Sequence, residues 1–225
     1  MIHIRAAQAF RSVPVLALLC IVVVSNNIRA QSIPPASPTG QLVNGNWDHA
    51  LTRGISMGSF NVDLEKVSLG DVVTELLRGT VQHRGDAGAS TYWLCYTVLR
   101  TNMKQRLWLI SDGELGGTDH RITAVYATDL EKRVGATDDC PALPKQYAQL
   151  RFDNHLWLGA SMSQIQKALG ARPGASNGWW SYPYEGKTRD TENAKSSEFD
   201  VTSSFKVRLS QGRITAISAS QVTTN

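Results

Sequence analysis

The sequence predicts an α+β protein made of two tandem repeats, each a short helical segment packed on a three- to four-stranded antiparallel sheet. Three observations carry this prediction. The heptapeptide RITAVYA at residues 121–127 returns as RITAISA at residues 213–219, with five identities in seven, and repetition at such a period means one supersecondary unit used twice. Trp93 and Tyr96 in TYWLCY return as Trp179 and Tyr182 in GWWSYPY. Ahead of each aromatic strand lies an apolar segment of helical period: Val72, Val73, Leu76 and Leu77 share one face of the first, and Ile165, Ala168 and Leu169 share one face of the second.

The elements follow in order. Residues 1–30 read as a signal peptide, with Arg5 and Arg11 before an apolar run at 13–24 and a polar stretch ending in Ala30. The run is shorter than the roughly 20 residues of a spanning helix. Cleavage near Ala30 is expected, and Ile28, bulky for its place, leaves an uncleaved anchor as the alternative. Residues 31–50, rich in Pro, Ser and Gly at the start, form an extended leader. Repeat 1 spans 51–135, a linker 136–149 and repeat 2 150–225. Within repeat 1, residues 55–60 offer a short strand; Leu69-Gly70 opens the helix and Gly79 stops it, as Leu158-Gly159 and Gly170 do in repeat 2. An antiparallel meander completes each copy.

Differences between the copies locate function, because shared positions serve the scaffold. Aligning LWLISDG (107–113) with KVRLSQG (206–212) on their Ser-x-Gly turns leaves seven extra residues, 114–120, in repeat 1. Repeat 2 is longer in the polar stretch 186–197, which reads as a mobile hairpin tip carrying Lys187, Arg189, Asp190, Glu192 and Lys195. Such loops on a rigid scaffold are where binding concentrates. In this alignment Phe205, Val207 and Leu209 alternate with the wet Lys206 and Arg208, while Leu107 and Leu109 replace the wet pair beside Trp108 and Ile110. The first sheet is therefore apolar on both faces, covered either by the other repeat or by a partner. Trp180, Tyr182 and Tyr184 share one face of a strand that Pro183 places at an edge. Two readings stand for this row: packing under the helix, or an aromatic binding strip. Trp93 and Trp179, present in both copies, read as core.

Composition narrows the partner. The formal charge of +4 loses three of 23 basic residues and none of 19 acidic ones with the signal segment, leaving +1. Neither nucleic acid nor an anionic membrane is indicated. Cys20 falls in the signal segment, and Cys95 with Cys140 reads as one disulfide of an exported protein, two buried thiols being the alternative. Asp112, Glu114, Asp119 and His120 form the single cluster of acids and histidine, in or beside the repeat 1 insertion. A solvated glycine-rich loop explains them; cation binding or acid-base chemistry is the sharper alternative. No EF-hand, zinc spacing, phosphate loop or nucleophile elbow occurs, so no cofactor and no metal are expected.

The order Leu-Gly, amphipathic helix, Gly, Trp-x-x-Tyr strand, Ser-x-Gly turn and Arg-Ile-Thr-Ala strand resembles the BamE/SmpA-type unit of bacterial envelope lipoproteins. In tandem over residues 55–222 it is similar to the fold of β-lactamase inhibitory proteins. The chain departs from the first in having two units without a convincing lipobox, and from the second in having too few cysteines for its disulfides. The resemblance implies paired helix-and-sheet units that bind proteins without catalysis. The expectation is thus a periplasmic or secreted protein-binding module, with a stoichiometric inhibitor or immunity role against an exported enzyme as one form. The expected contact residues are Trp180, Tyr182, Tyr184, Leu107, Leu109, Glu114, Asp119 and His120. A cell-wall or envelope-assembly accessory, and a hydrolase using the loop from Asp112 to His120, are the alternatives.

Overall fold

The computed structural model describes residues 32–37, 52–100, 103–131, 134–170, 175–176, 178–189 and 198–224. From Pro34 onward these belong to one compact unit. The expected signal segment, most of the expected leader, and Asp190, Glu192 and Lys195 of the polar tip lie outside the described residues.

A hairpin of β1 (Gly54–Met57) and β2 (Phe60–Asp63) precedes α1 (Leu69–Leu76), then β3 (Gln82–Arg84), β4 (Thr91–Leu99), β5 (Lys104–Asp112) and β6 (Ala124–Leu130). After the linker come β7 (Leu150–Phe152), α2 (Met162–Leu169), β8 (Ala175–Ser176), β9 (Trp179–Arg189), β10 (Glu198–Ser210) and β11 (Arg213–Thr224). β1 sits between β2 and β7 in a small sheet, and the other strands form one sheet in the order β3-β4-β5-β6-β11-β10-β9-β8.

This architecture corrects the α+β expectation. The protein is mainly β: 49% of the described residues are in strands and 14% in helical turns. Each helix is only eight residues, about two turns, too short to cover the face of a sheet that spans both copies. Strands, not helices, also supply much of the cover, since β1, β2 and β7 send Ile55, Met57, Val62, Leu150 and Phe152 into the same core. No described helix is long and apolar enough to cross a membrane.

The repeated heptapeptides lie at the centre of the large sheet and pair with each other. β6 runs antiparallel to β11 with Val125 opposite Ala219, Tyr126 opposite Ser218 and Ala127 opposite Ile217. Tyr126 and Ser218 are equivalent positions of the two heptapeptides, so a local twofold axis passes between them. Two equal edges therefore meet edge to edge, which joins the copies without leaving either β6 or β11 exposed. The helix starts obey the same symmetry. Ser68 caps α1 and Ser161 caps α2, each in a reciprocal capping box, with Asp71 and Gln164 as the respective third residues. Leu69 N–H donates to His120 O and Met162 N–H to Gly212 O, pinning each cap to its own last strand. Leu69-Gly70 is thus the first turn of α1, whereas Leu158-Gly159 precedes the cap of α2; the two dipeptides are not equivalent.

α1 ends on Leu77, which takes the left-handed conformation, while Gly170 caps α2. Gly79 still needs to be glycine: its φ is +101°, and a Cβ there would lie 2.6 Å from the Tyr96 hydroxyl, which donates to Arg78 O.

The two capping boxes predict a contrast in pH response. Hydrogen bonds from the Ser68 backbone N–H, and then from its hydroxyl, hold the Asp71 carboxyl below the ordinary carboxylate range. A carboxyl depressed in the folded state contributes stability above its unfolded pKa and loses it as pH falls through the folded value. Asp71→Asn should cost about 0.5–1 kcal/mol at neutral pH and should flatten the urea-unfolding profile below about pH 4. Gln164→Glu should introduce a dependence of the same sign at α2.

Candidate functional site

Strand registers define two faces of the large sheet. The inner face, under the helices and the small sheet, carries Leu94, Tyr96 and Val98 of β4, Leu107 and Leu109 of β5, Val125 and Ala127 of β6, Ile217 and Ala219 of β11, Phe205 and Val207 of β10, and Tyr182 of β9. The outer face carries a second apolar cluster in repeat 1: Trp93, Cys95, Trp108, Tyr126 and Ala216 with Cys140, and the partly buried Ile110 and Trp179 against it.

The registers also correct the alignment of the copies. Opposite Tyr126 stands Trp108, and opposite its equivalent Ser218 stands Lys206. Trp108 therefore corresponds to Lys206, Leu107 to Phe205 and Leu109 to Val207, one residue away from the match on the Ser-x-Gly turns. A register shift between Arg208 and Leu209, a bulge that the sequence does not announce, absorbs the difference. A one-residue slip exchanges the two faces of a strand. The repeat 1 sheet is indeed apolar on both faces, but its extra apolar residues are Trp108 and Ile110, and Leu107 and Leu109 belong to the shared inner core at 0% exposure.

The expected contact residues are accordingly scattered. Tyr182 is buried at 1% exposure in the inner core, Trp180 packs partly buried against that core, and half-buried Tyr184 lies over Gly186, where a Cβ would meet its ring. Tyr182 and Trp180 thus belong to the inner core or pack on it, while Tyr184 is half-buried outside it. Glu114 and Asp119 are exposed in the loop after β5; Asp119 makes a 3.9 Å surface ion pair with Arg121, and the Glu114 N–H donates to Asp112. His120 stacks on Tyr92 at 3.9 Å, and Tyr92 in turn lies against His83 at 4.4 Å. Among the described residues no three of His, Cys, Asp and Glu converge as a metal site.

What covers the outer face differs between the halves. In repeat 1, the Cys95–Cys140 disulfide spans 45 residues and clamps the linker across the cluster. There Thr97 N–H donates to Pro141 O, its hydroxyl to Cys140 O, and Leu143 N–H returns to Thr97 O. In repeat 2 the registers put Ser181 in the place of Cys95, Pro183 in that of Thr97, Ser204 in that of Arg106, Lys206 in that of Trp108 and Arg208 in that of Ile110. Proline offers no N–H to a docking strand. The hydrophobic outer face of one copy has become a floor of serines flanked by cations in the other.

Where the halves meet, the aromatic rings form a chain. Trp108 contacts Tyr126 edge-on at 5.5 Å, Tyr126 is 6.0 Å from Trp179, and the exposed Arg208 guanidinium lies 5.6 Å over the Trp179 ring. Burial raises the Tyr126 hydroxyl pKa while the Arg208 charge pulls it down, and burial lowers the Lys206 pKa.

Protein-family profiles, curated proteins and solved structures contain no match to this chain. At the junction of the two outer faces stand Trp179, read from the sequence as core because it recurs as Trp93 but half-buried here, and the exposed Arg208, read as part of a wet face. Their signal was the substitution of Lys and Arg for Trp and Ile at matched positions, legible only once the register was right.

Proposed function

We propose that the chain is an exported, non-catalytic protein-binding module that docks its partner on the outer face of the repeat 2 half of the large sheet. The observation that carries this reading is the divergence of matched positions: Trp108 and Ile110 beneath the clamped linker correspond to Lys206 and Arg208. Arg208 is exposed and lies on the half-buried Trp179. An arginine held over a tryptophan loses little side-chain entropy on binding, and both residue types dominate interface hot spots. A cationic rim around small hydroxyl residues fits a protein surface that presents carboxylates. Inhibition of an exported enzyme, or immunity to one, is a form of this activity that the resemblance to β-lactamase inhibitory proteins supports.

The test isolates the partner by cross-linking in periplasmic extract and measures its affinity by titration calorimetry. Arg208→Glu and Trp179→Ala should each weaken binding at least tenfold, equivalent to about 1.4 kcal/mol, while Tyr184→Ala, on the opposite face, should not. Unchanged affinity in the first two variants sinks the reading. Saturable quenching of tryptophan fluorescence by peptidoglycan fragments, lost in Trp179→Ala and with no protein captured, would replace it with the cell-wall alternative.

A further inference from the structure

Among the described residues Arg106 is a buried cation with no carboxylate partner. Its side chain stands on the outer face of β5 at 1% exposure. Its described partners are Gly135 O at 3.3 Å from Nη2 and the Cys95 sulfur at 3.7 Å from Nη1, and Nε has none. No ion pair involves it among the described residues. Leaving a guanidinium buried without an anion is costly, so a group that becomes an anion beside it is the natural complement. The disulfide sulfur it touches is such a group, since breaking the bond heterolytically turns Cys95 into a thiolate.

We infer that Cys95–Cys140 is a reducible clasp in which Arg106 stabilises Cys95 as the departing thiolate, making Cys140 the sulfur that a dithiol reductant attacks. The reductant's thiolate gives its lone pair to Cys140 Sγ; the Cys95–Cys140 bond breaks, and its electron pair leaves on Cys95, facing Arg106. The reductant's second thiol then displaces Cys140 and passes its proton to it. The reductant ends as its own disulfide, and the protein has gained two electrons and one proton. Exchange favours the sulfur whose thiolate is the more stable as leaving group. Both sulfurs are buried, Cys95 at 1% and Cys140 at 0% exposure, so attack follows a local opening of the linker, where the exposed Asp138 and Asp139 precede Cys140. Opening the clasp removes the covalent tie that holds the linker over Trp93 and Trp108.

Two measurements test this. In the wild-type chain treated with the monothiol glutathione, mass mapping of the trapped mixed disulfide should find at least tenfold more adduct on Cys140 than on Cys95; an equal distribution, or a preference for Cys95, overturns the inference. In the full chain carrying Cys20→Ser and Cys140→Ser, alkylation by iodoacetamide across pH should titrate Cys95 at least one unit below the ordinary cysteine value of about 8.5. Arg106→Gln in that background should raise the midpoint by a unit or more, and Arg106→Lys should raise it less. Burial alone pushes a thiol upward, so a midpoint at or above about 8.5 with Arg106 in place overturns the proposal.

Discussion

Replacing both cysteines, Cys95→Ala with Cys140→Ala, should destabilise the fold by about 4 kcal/mol, the loop-closure value for a crosslink of this span, and lower Tm by roughly 8–16 °C. The bond closes a 45-residue loop that runs from β4 through β5 and β6 to the linker, so the unfolded chain gains most of its freedom when the bond is lost. On the folded side, Cys95 and Cys140 are at 1% and 0% exposure within the outer cluster of Trp93, Trp108 and Tyr126, so each alanine also leaves a small void. Differential scanning calorimetry of the variant against the oxidised wild type reads the difference. A drop of less than about 3 °C would mean that the linker is held by its backbone bonds to Thr97 alone. The wild type treated with dithiothreitol should lose less than the double variant, because the reduced chain supplies Arg106 with the Cys95 thiolate and the alanine variant leaves it unpaired.

Phe152→Ala should cost about 3–5 kcal/mol, the range for truncating a buried aromatic side chain. Phe152 is at 0% exposure and lies on β7, where it is paired with Ile55 of β1. Its ring meets Phe205 of the large sheet edge-on at 5.2 Å and Trp157 at 5.9 Å. It is thus a point at which the small sheet, whose strands precede one helix or the other, grips the inner face of the large one. Trp157 is fixed from the other side by its indole N–H, which donates to buried Gln105 at 2.9 Å, so the cavity has little freedom to collapse. Urea unfolding should show a lower midpoint with an unchanged slope. A loss below about 1.5 kcal/mol would place the grip elsewhere in the core.

Particular residues show how much could be read in advance. The meanders follow from residue spacing, which is local, and the disulfide from the count of cysteines; the apolar face of α1 holds for Val72 and Leu76 but not for Leu77, which lies past the helix end at 85% exposure. The α+β class did not survive, because an apolar helical period reports that a helix forms and says nothing of how much of the core it covers. The alignment of the copies was off by one residue at β5 and β10. Leu107 and Leu109 looked like substitutes for Lys206 and Arg208, but the bulge beside Arg208 moves them into the shared core and puts Trp108 and Ile110 opposite those cations in the comparison. Trp180, Tyr182 and Tyr184 face the inner core side, whereas Trp179 faces out with Arg208.

By itself the sequence determined that a heptapeptide and an aromatic strand recur, that a short apolar helical segment precedes each set of antiparallel strands, and that Cys95 and Cys140 are the available pair. Only the tertiary structure decided that Tyr126 and Ser218 sit across a local twofold axis, that the two meanders form one sheet, and which residues of each strand face the linker. The reason is physical: period and capping depend on neighbours a few residues apart, whereas the face a strand presents depends on its register with a partner far along the chain. A single bulge in that register reverses the answer.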